Sequence, residues 1–270
     1  MHFPPVKPEV LFSLGSIPIT NSMLTSWVAM LLLVVVGVLV GKNFKRLPSG
    51  MQHIFEMVYE LFDGMAVDAM GKTGRKFVPL VLTFFLLIIT NNWLGVLPGV
   101  GSILVKPQVS HTAEATEAKP TAEGAAHEEK VPLFRGGNAD LNMTFALALI
   151  AQVVIHASGI RSAGLRHHLA HFKNPMEIIT EVSKILSFSF RLFGNVFAGE
   201  VMLSVMAGLV VIITGKTQNL FGIPGGLIQT PFFLLELFVG FIQAFVFAML
   251  VISFLSLFVK TELSSHSGGH

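Results

Sequence analysis

The chain has 270 residues, of which 52% are hydrophobic and only 13% are charged, with a formal net charge of +2 and no cysteine. Soluble domains carry about 25% charged residues, so this composition excludes a water-soluble enzyme. A mean hydropathy of +0.70 and 24 phenylalanines exclude a disordered chain. The lack of cysteine excludes disulfides and thiolate metal sites, and the small net charge argues against nucleic-acid binding. An integral membrane protein remains.

Charge-free runs mark the first membrane spans. No Asp, Glu, Lys or Arg occurs in residues 10–41, 77–105 or 141–160. About 20 apolar residues in a helix cross the hydrocarbon core, and any other conformation leaves costly unpaired backbone there. We therefore predict an outer N-terminal segment over 1–22, followed by spans over 23–41, 77–98 and 141–160.

An amphipathic segment and a polar loop separate these spans. Residues 49–72 place apolar side chains at helical spacing, which predicts an amphipathic helix on the cytoplasmic surface; a re-entrant or packed loop helix is the alternative. Residues 99–140 are predicted to form an outer loop, whose part 107–130, rich in Ala, Glu and Thr, is expected to be mobile. Its two histidines, His111 and His127, lack metal-ligand spacing, so we predict neither a metal site nor a cofactor.

Two long, mostly apolar segments form the last third of the chain, over 175–214 and 223–260. As single helices each would be about 60 Å long, almost twice the hydrocarbon core. We predict a steeply tilted helical hairpin, because polar residues are spread along both segments; two ordinary spans with amphipathic extensions are the alternative. The fold class is an all-α integral membrane protein with about five membrane-embedded helices and one surface helix.

The distribution of basic residues predicts the orientation. Ten Lys and Arg residues fall on one side of this topology and six on the other, and the richer side is expected to be cytoplasmic. The N-terminus is then outside and the C-terminus inside. The chain shows no transit-peptide pattern, which favours a bacterial plasma membrane, although an organelle-encoded protein would look the same.

Arg191 lies in the middle of the apolar segment 175–214. Its side chain is too far from either end to reach an interface by snorkelling, and a guanidinium does not lose its proton. Ionisable residues at membrane depth are functional candidates by default. Its own segment has no acid three or four positions away, so its partner is expected on another helix or another subunit.

Two acids follow Arg191 within the hairpin. Glu200 is nine positions later and falls on the opposite face of the helix, while Glu236 and Gln243 are seven apart and share a face. Carboxylic acids beside a permanent cation are typical of a proton path. Hydrogen bonding for structure alone is the alternative.

A charged cluster precedes Arg191. Glu177, Glu181 and Lys184 stand four and three positions apart, so neighbouring side chains can pair. They form either a structural salt-bridge cluster or the lining of a cytoplasmic water path.

Residues 189–200, Ser-Phe-Arg-Leu-Phe-Gly-Asn-Val-Phe-Ala-Gly-Glu, resemble the arginine motif of subunit a of the F-type ATP synthase. The segments 92–98, 140–142 and 241–245 are also similar to that family. The resemblance covers about residues 20–262. The departures are the long loop at 107–135 and Gly95, which is acidic in some relatives.

The resemblance implies a stator subunit that translocates protons beside a rotating ring of c subunits, with peripheral-stalk b subunits as further partners in the lipid bilayer. Two offset aqueous half-channels would load and unload the ring carboxylates, with Arg191 as barrier and counter-charge. The implied outer half-channel comprises Glu200, Glu236, Asn195, Gln243, Asn92, Asp140 and Asn142. The implied inner half-channel comprises Glu177, Thr180, Ser183, Lys184 and Ser187.

The implied subunit is not catalytic by itself. The chain contains no Gly-rich Walker motif for nucleotide phosphates, so ATP chemistry would belong to other subunits. A stand-alone ion channel or secondary transporter is the alternative function; it would work without a c ring.

Overall fold

The structure, a computed structural model, describes residues 7–14, 17–42, 50–97, 103–105, 131–164, 174–214 and 223–267. Most of the polar loop, 106–130, and the connection between the two long segments, 215–222, lie outside these residues. Within the described ranges the helices are α1 (Asn21–Lys42), α2 (Met51–Met70), α3 (Val78–Val96), α4 (Leu141–Ala163), α5 (Pro175–Thr214) and α6 (Ile223–Ser267). Five of them, all but α2, are long and apolar enough to cross a membrane. The predicted all-α membrane fold class is confirmed.

Helix α6 is the central element, because it packs against α2, α3, α4 and α5. Lipid is as apolar as these side chains, so helix association depends on close packing. Small residues allow that approach: Ala148 and Ala151 of α4 and Ala244 and Ala248 of α6 are fully buried in one core cluster. Phe247 fills the remaining space, with its ring centroid 5.2 Å from Phe188 and 5.5 Å from Phe84.

Helix α2 is attached to this bundle by its second half. Phe62, Ala66 and Met70 are buried against the core, and the Phe62 ring lies 5.1 Å from that of Phe85. Met51 and Ile54 in the first half are more than half exposed. The helix is thus packed at one end, while its other end presents an apolar surface.

Helix α1 lies at the edge of the bundle and contacts α3. Most of its apolar side chains are exposed, as expected for a surface that faces lipid. A short hairpin precedes it, in which β1 (Val10–Leu14) pairs antiparallel with β2 (Ile17–Thr20). A second pair, β3 (Leu104–Val105) with β4 (Val131–Pro132), joins the two described ends of the polar loop.

Residues 131–140, which the sequence places in the outer loop, are folded into the protein. A 3₁₀ turn over Gly137–Ala139 contacts α1, α3, α4 and α5. A Cβ atom at Gly137 would lie 2.2 Å from Ser26 Oγ and 2.4 Å from Asn91 Oδ1, so a larger residue there would displace one or both of these side chains. Thr25 of α1 and Asn92 of α3 give this segment hydrogen-bond partners.

Candidate functional site

Arg191 lies near the middle of α5, on an exposed face of the helix. Its Nη2 atom donates to Ser187 Oγ, one turn earlier, over 3.4 Å. The adjacent Phe190 and the nearby Leu186 are exposed apolar side chains, and Ser187 supplies a hydroxyl next to the charge. No carboxylate of the described residues forms an ion pair with this guanidinium.

A cavity of about 270 Å³ lies beside Arg191, between α5 and α6. Its lining includes Arg191 and four residues of the implied inner half-channel, together with three larger side chains: Thr180, Ser183, Lys184, Ser187, Phe188, Leu250 and Phe254. The hydroxyls of Thr180 and Ser183 donate to backbone carbonyls one turn earlier, over 2.9 and 2.7 Å. Their oxygen lone pairs remain able to accept. Glu177, the fifth implied inner residue, is half-buried outside this lining.

A second polar group lies where α4 packs on α5. We call it the Glu181 cluster; it comprises Glu181, Lys184, Gln152 and His156. Lys184 Nζ donates to Glu181 Oε1 over 2.7 Å, and Glu181 Oε2 lies 3.3 Å from His156 Nε2 on α4. Gln152 Nε2 contacts Glu181 Oε2 and also lies 2.8 Å from His156 Nε2. The sequence analysis anticipates the pairing of Glu181 with Lys184 but not the two α4 residues. The only available signal is their spacing of four within a charge-free span.

Arg135 and Glu200 form a mostly buried ion pair. Along α5, Glu200 lies on the other side of Arg191 from the Glu181 cluster. Arg135 Nη2 and Nε donate to Glu200 Oε2 over 2.9 and 3.1 Å. A third nitrogen, Nη1, donates to the carbonyl oxygen of Lys7 over 3.3 Å. Arg135 is only 8% exposed. Glu200 therefore has a cationic partner within the chain, which the sequence analysis did not identify.

Glu236 lies against Gly199, where α6 packs on α5. A Cβ atom at Gly199 would lie 1.9 Å from each carboxylate oxygen of Glu236, so the contact requires glycine. Glu236 is 6% exposed and has no hydrogen bond or ion pair recorded within the described residues. Gln243, two turns later, is 8% exposed, and its Nε2 has no partner among those residues. An unpaired buried amide costs about 1–3 kcal/mol, so packing alone does not explain these side chains.

Of the other residues of the implied outer half-channel, Asn92 and Asp140 form hydrogen bonds to neighbouring elements. Asn92 Nδ2 donates to the Gly240 carbonyl over 3.0 Å, and Asn92 Oδ1 accepts from Asn138 over 2.7 Å. Asp140 accepts from Ser22 Oγ and from the backbone N–H of Asn142, both over 2.9 Å, and so caps α4. Both residues hold the 131–140 segment against neighbouring helices.

The remaining two residues of the implied outer half-channel are Asn142 and Asn195. The Asn142 side chain is exposed, and Asn195 is half-buried. At 1.5 Å per residue, Glu181 and Glu200 lie about 15 Å from Arg191 along α5, in opposite directions. The site therefore consists of two polar groups separated by one isolated cation.

A sequence profile of the family described as ATP synthase A chain matches residues 23–256. The chain belongs to this family. ATP synthase subunit a of Moorella thermoacetica is 31% identical over 260 residues, which cover 94% of this chain and 97% of that protein. The subunit a of Desulforamulus reducens is 32% identical over 255 residues, or 91% of this chain and 82% of that protein. The subunit a of Gloeobacter violaceus is 31% identical over 267 residues, or 97% and 93%.

Family membership confirms the resemblance seen around Arg191. The chain is a component of the ATP synthase complex, and its five long apolar helices make it a multi-pass membrane protein. Its function is that of the proton-translocating stator component, which couples proton transport to ATP synthesis.

Proposed function

We propose that this subunit forms two offset aqueous half-channels beside a ring of c subunits, with Arg191 as the barrier between them. The position of Arg191 carries the proposal: a permanent cation lies on an exposed surface of a membrane helix, with no ion pair to a carboxylate of the described residues. A charge at that depth needs a counter-charge. A carboxylate on each ring subunit would supply it in turn.

Rotation of the c-subunit ring explains why the positive charge of Arg191 must be permanent. A ring carboxylate facing lipid is favoured in its neutral form, because an ion there is costly. When it faces Arg191, the ionised form is favoured, so the proton leaves. A guanidinium keeps its charge when desolvated, unlike a lysine ammonium, and so also blocks direct proton passage between the half-channels.

The inner half-channel is proposed to begin at the cavity beside Arg191. Its lining already contains Thr180, Ser183, Lys184 and Ser187, and Glu177 would stand near its mouth. The outer half-channel is proposed to pass the following side chains: Glu200, Glu236, Gln243, Asn195 and Asn142. Asn92 and Asp140 would shape its wall through the hydrogen bonds that hold residues 131–140.

The assembly and location follow from the same proposal. The exposed apolar face of α5 around Phe190 would contact the c ring, and b subunits of the peripheral stalk would hold the stator in place. The nucleotide chemistry would belong to other subunits of the complex. We place the protein in a bacterial plasma membrane, with the N-terminus outside and the C-terminus in the cytoplasm.

The test is ATP-driven proton pumping and passive proton leak in vesicles bearing the assembled complex. We expect Arg191→Ala to lose pumping, or to open a leak, while the subunit remains in the complex. Arg75→Ala is the matched control, since the Arg75 side chain is 65% exposed in its pair with Asp63. Unchanged pumping and tightness in Arg191→Ala would contradict the barrier role. Ion transport by the purified subunit without a c ring would favour the channel or transporter alternative.

A further inference from the structure

The Glu181 cluster is connected to the cavity beside Arg191 through one side chain. Lys184 lines the cavity and also donates to Glu181 over 2.7 Å. Behind it, the Glu181 carboxylate has donors from two helices: Lys184 on α5 and Gln152 on α4. A structural salt bridge between Glu181 and Lys184 would not require an imidazole as well, yet His156 Nε2 lies 3.3 Å from the same carboxylate.

The position of His156 Nε2 suits both protonation states of the imidazole. In the neutral ring this nitrogen can accept from the Gln152 amide, 2.8 Å away. In the protonated ring the same nitrogen can donate to the Glu181 carboxylate, 3.3 Å away. Histidine is the side chain whose ordinary titration range lies nearest neutral pH. Within the described residues, its charged neighbours include Glu181 and, through Glu181, Lys184, while α6 contributes the Phe254 ring 4.8 Å from Lys184 Nζ.

We propose that His156 is a proton-carrying residue of the inner path, with Glu181 as its counter-charge and Gln152 as the residue that holds its neutral form. From the cavity, this branch of the path then runs past Lys184 to the interface of α4 and α5. This inference rests on the proposed half-channel function. A proton leaving a ring carboxyl O–H bond would pass through the cavity to form an N–H bond at His156 Nε2. That bond would then break as the proton passes to water at the end where α4 ends and α5 begins.

The experiment compares two substitutions of His156 in the assembled complex. His156→Gln keeps a polar side chain but cannot carry an extra proton, whereas His156→Leu removes both properties. Ser158→Ala is the matched control on the same helix, since the Ser158 hydroxyl donates to the Ile155 carbonyl of its own helix over 2.7 Å. Arg191→Ala in the same assay reports on the proposed function itself. The rate of ATP-driven proton pumping by inverted vesicles is measured as a function of the pH of the external medium. In these vesicles the external medium contacts the proposed cytoplasmic face of the subunit.

We expect His156→Gln to pump roughly a hundredfold more slowly, the lower end of the usual effect of losing a proton-transfer group. Its rate should depend less on the pH of the medium than that of the wild type. Glu181→Gln should also slow pumping, because a protonated imidazole would lose its counter-charge. Ser158→Ala should match the wild type.

The outcomes separate the two proposals. A wild-type rate and profile in His156→Gln, with pumping lost in Arg191→Ala, would refute the relay and leave the half-channel function intact. Loss of assembly in His156→Leu with normal transport in His156→Gln would show that His156 is only structural, which also overturns the relay. Normal pumping in Arg191→Ala would overturn the function on which the relay rests.

Discussion

Arg135 and Glu200 are 65 residues apart in the chain, yet two guanidinium nitrogens of Arg135 donate to one carboxylate oxygen of Glu200 over 2.9 and 3.1 Å. The pair joins the folded end of the polar loop to the second half of α5. Its side chains are 7% and 19% exposed. Residues 131–140 are therefore packed into the helix bundle, and one of the two acids after Arg191 has a fixed neighbour.

We expect Arg135→Ala to destabilise the subunit, because removal of one partner leaves a mostly buried carboxylate without its counter-charge. Such losses cost about 3–5 kcal/mol. The measurement is the thermal midpoint of the purified complex and its subunit content. Replacing both partners, as in Arg135→Met with Glu200→Gln, should recover much of the loss. Arg75→Ala, which breaks an exposed pair, should cost only about 0–1 kcal/mol; equal effects of the two single variants would contradict this prediction.

We expect Gly199→Ala to slow proton transport while the complex still assembles. The new methyl group would occupy the position of the Glu236 carboxylate, only 1.9 Å away, and this flexible side-chain end must move. Pumping rate per assembled complex is the measurement. Gly37→Ala is the control, because a Cβ atom there has no neighbour within 4 Å. If the effect acts through Glu236, adding Glu236→Gln to Gly199→Ala should cause little further loss.

We expect Glu200→Gln and Glu236→Gln each to slow pumping rather than abolish it. An amide keeps the size and hydrogen bonding of the acid but cannot exchange a proton in the same way. Glu236→Gln should leave assembly unchanged, since no ion pair of Glu236 is recorded in the described part of the chain. Glu200→Gln should also reduce stability through Arg135. Pumping rates at matched subunit content test this, and a fully active double variant would remove both acids from the path.

We expect Gly95→Ala to disturb the fold rather than proton transfer directly. A Cβ atom at Gly95 would lie 2.5 Å from the Gly136 Cα atom, which is backbone and cannot rotate away. Overpacking of this kind costs about 1–3 kcal/mol. The thermal midpoint of the complex should fall, and Gly37→Ala should leave it unchanged. A stable, fully active Gly95→Ala complex would show that the 131–140 segment has another position.

Much of the fold could be predicted because lipid makes demands that are visible along the chain. A membrane span needs a long run without charge, and such runs predict helices where α1, α3 and α4 occur. The same reasoning isolates Arg191, since a permanent charge in an apolar segment is conspicuous in any sequence. The motif around it then indicated the family.

The partners of the site residues could not be predicted in the same way. Gly136, Arg135 and Asn138 belong to a segment whose composition is that of an ordinary loop. Only the packing of four helices around it provides the buried partners that make it part of the core. Likewise, the charge-free pattern of α4 conceals His156, because an uncharged imidazole does not interrupt an apolar run.

The membrane class, the order of the helices and the isolation of Arg191 depend on local hydrophobicity and charge, so they could be predicted from the order of the amino acids. The folded structure was needed to show that Glu200 pairs with Arg135, that Glu236 lies against Gly199 and that His156 contacts Glu181. These contacts depend on which helix faces meet. Side-chain periodicity along one helix defines its faces but does not specify the residue that another helix will place opposite them.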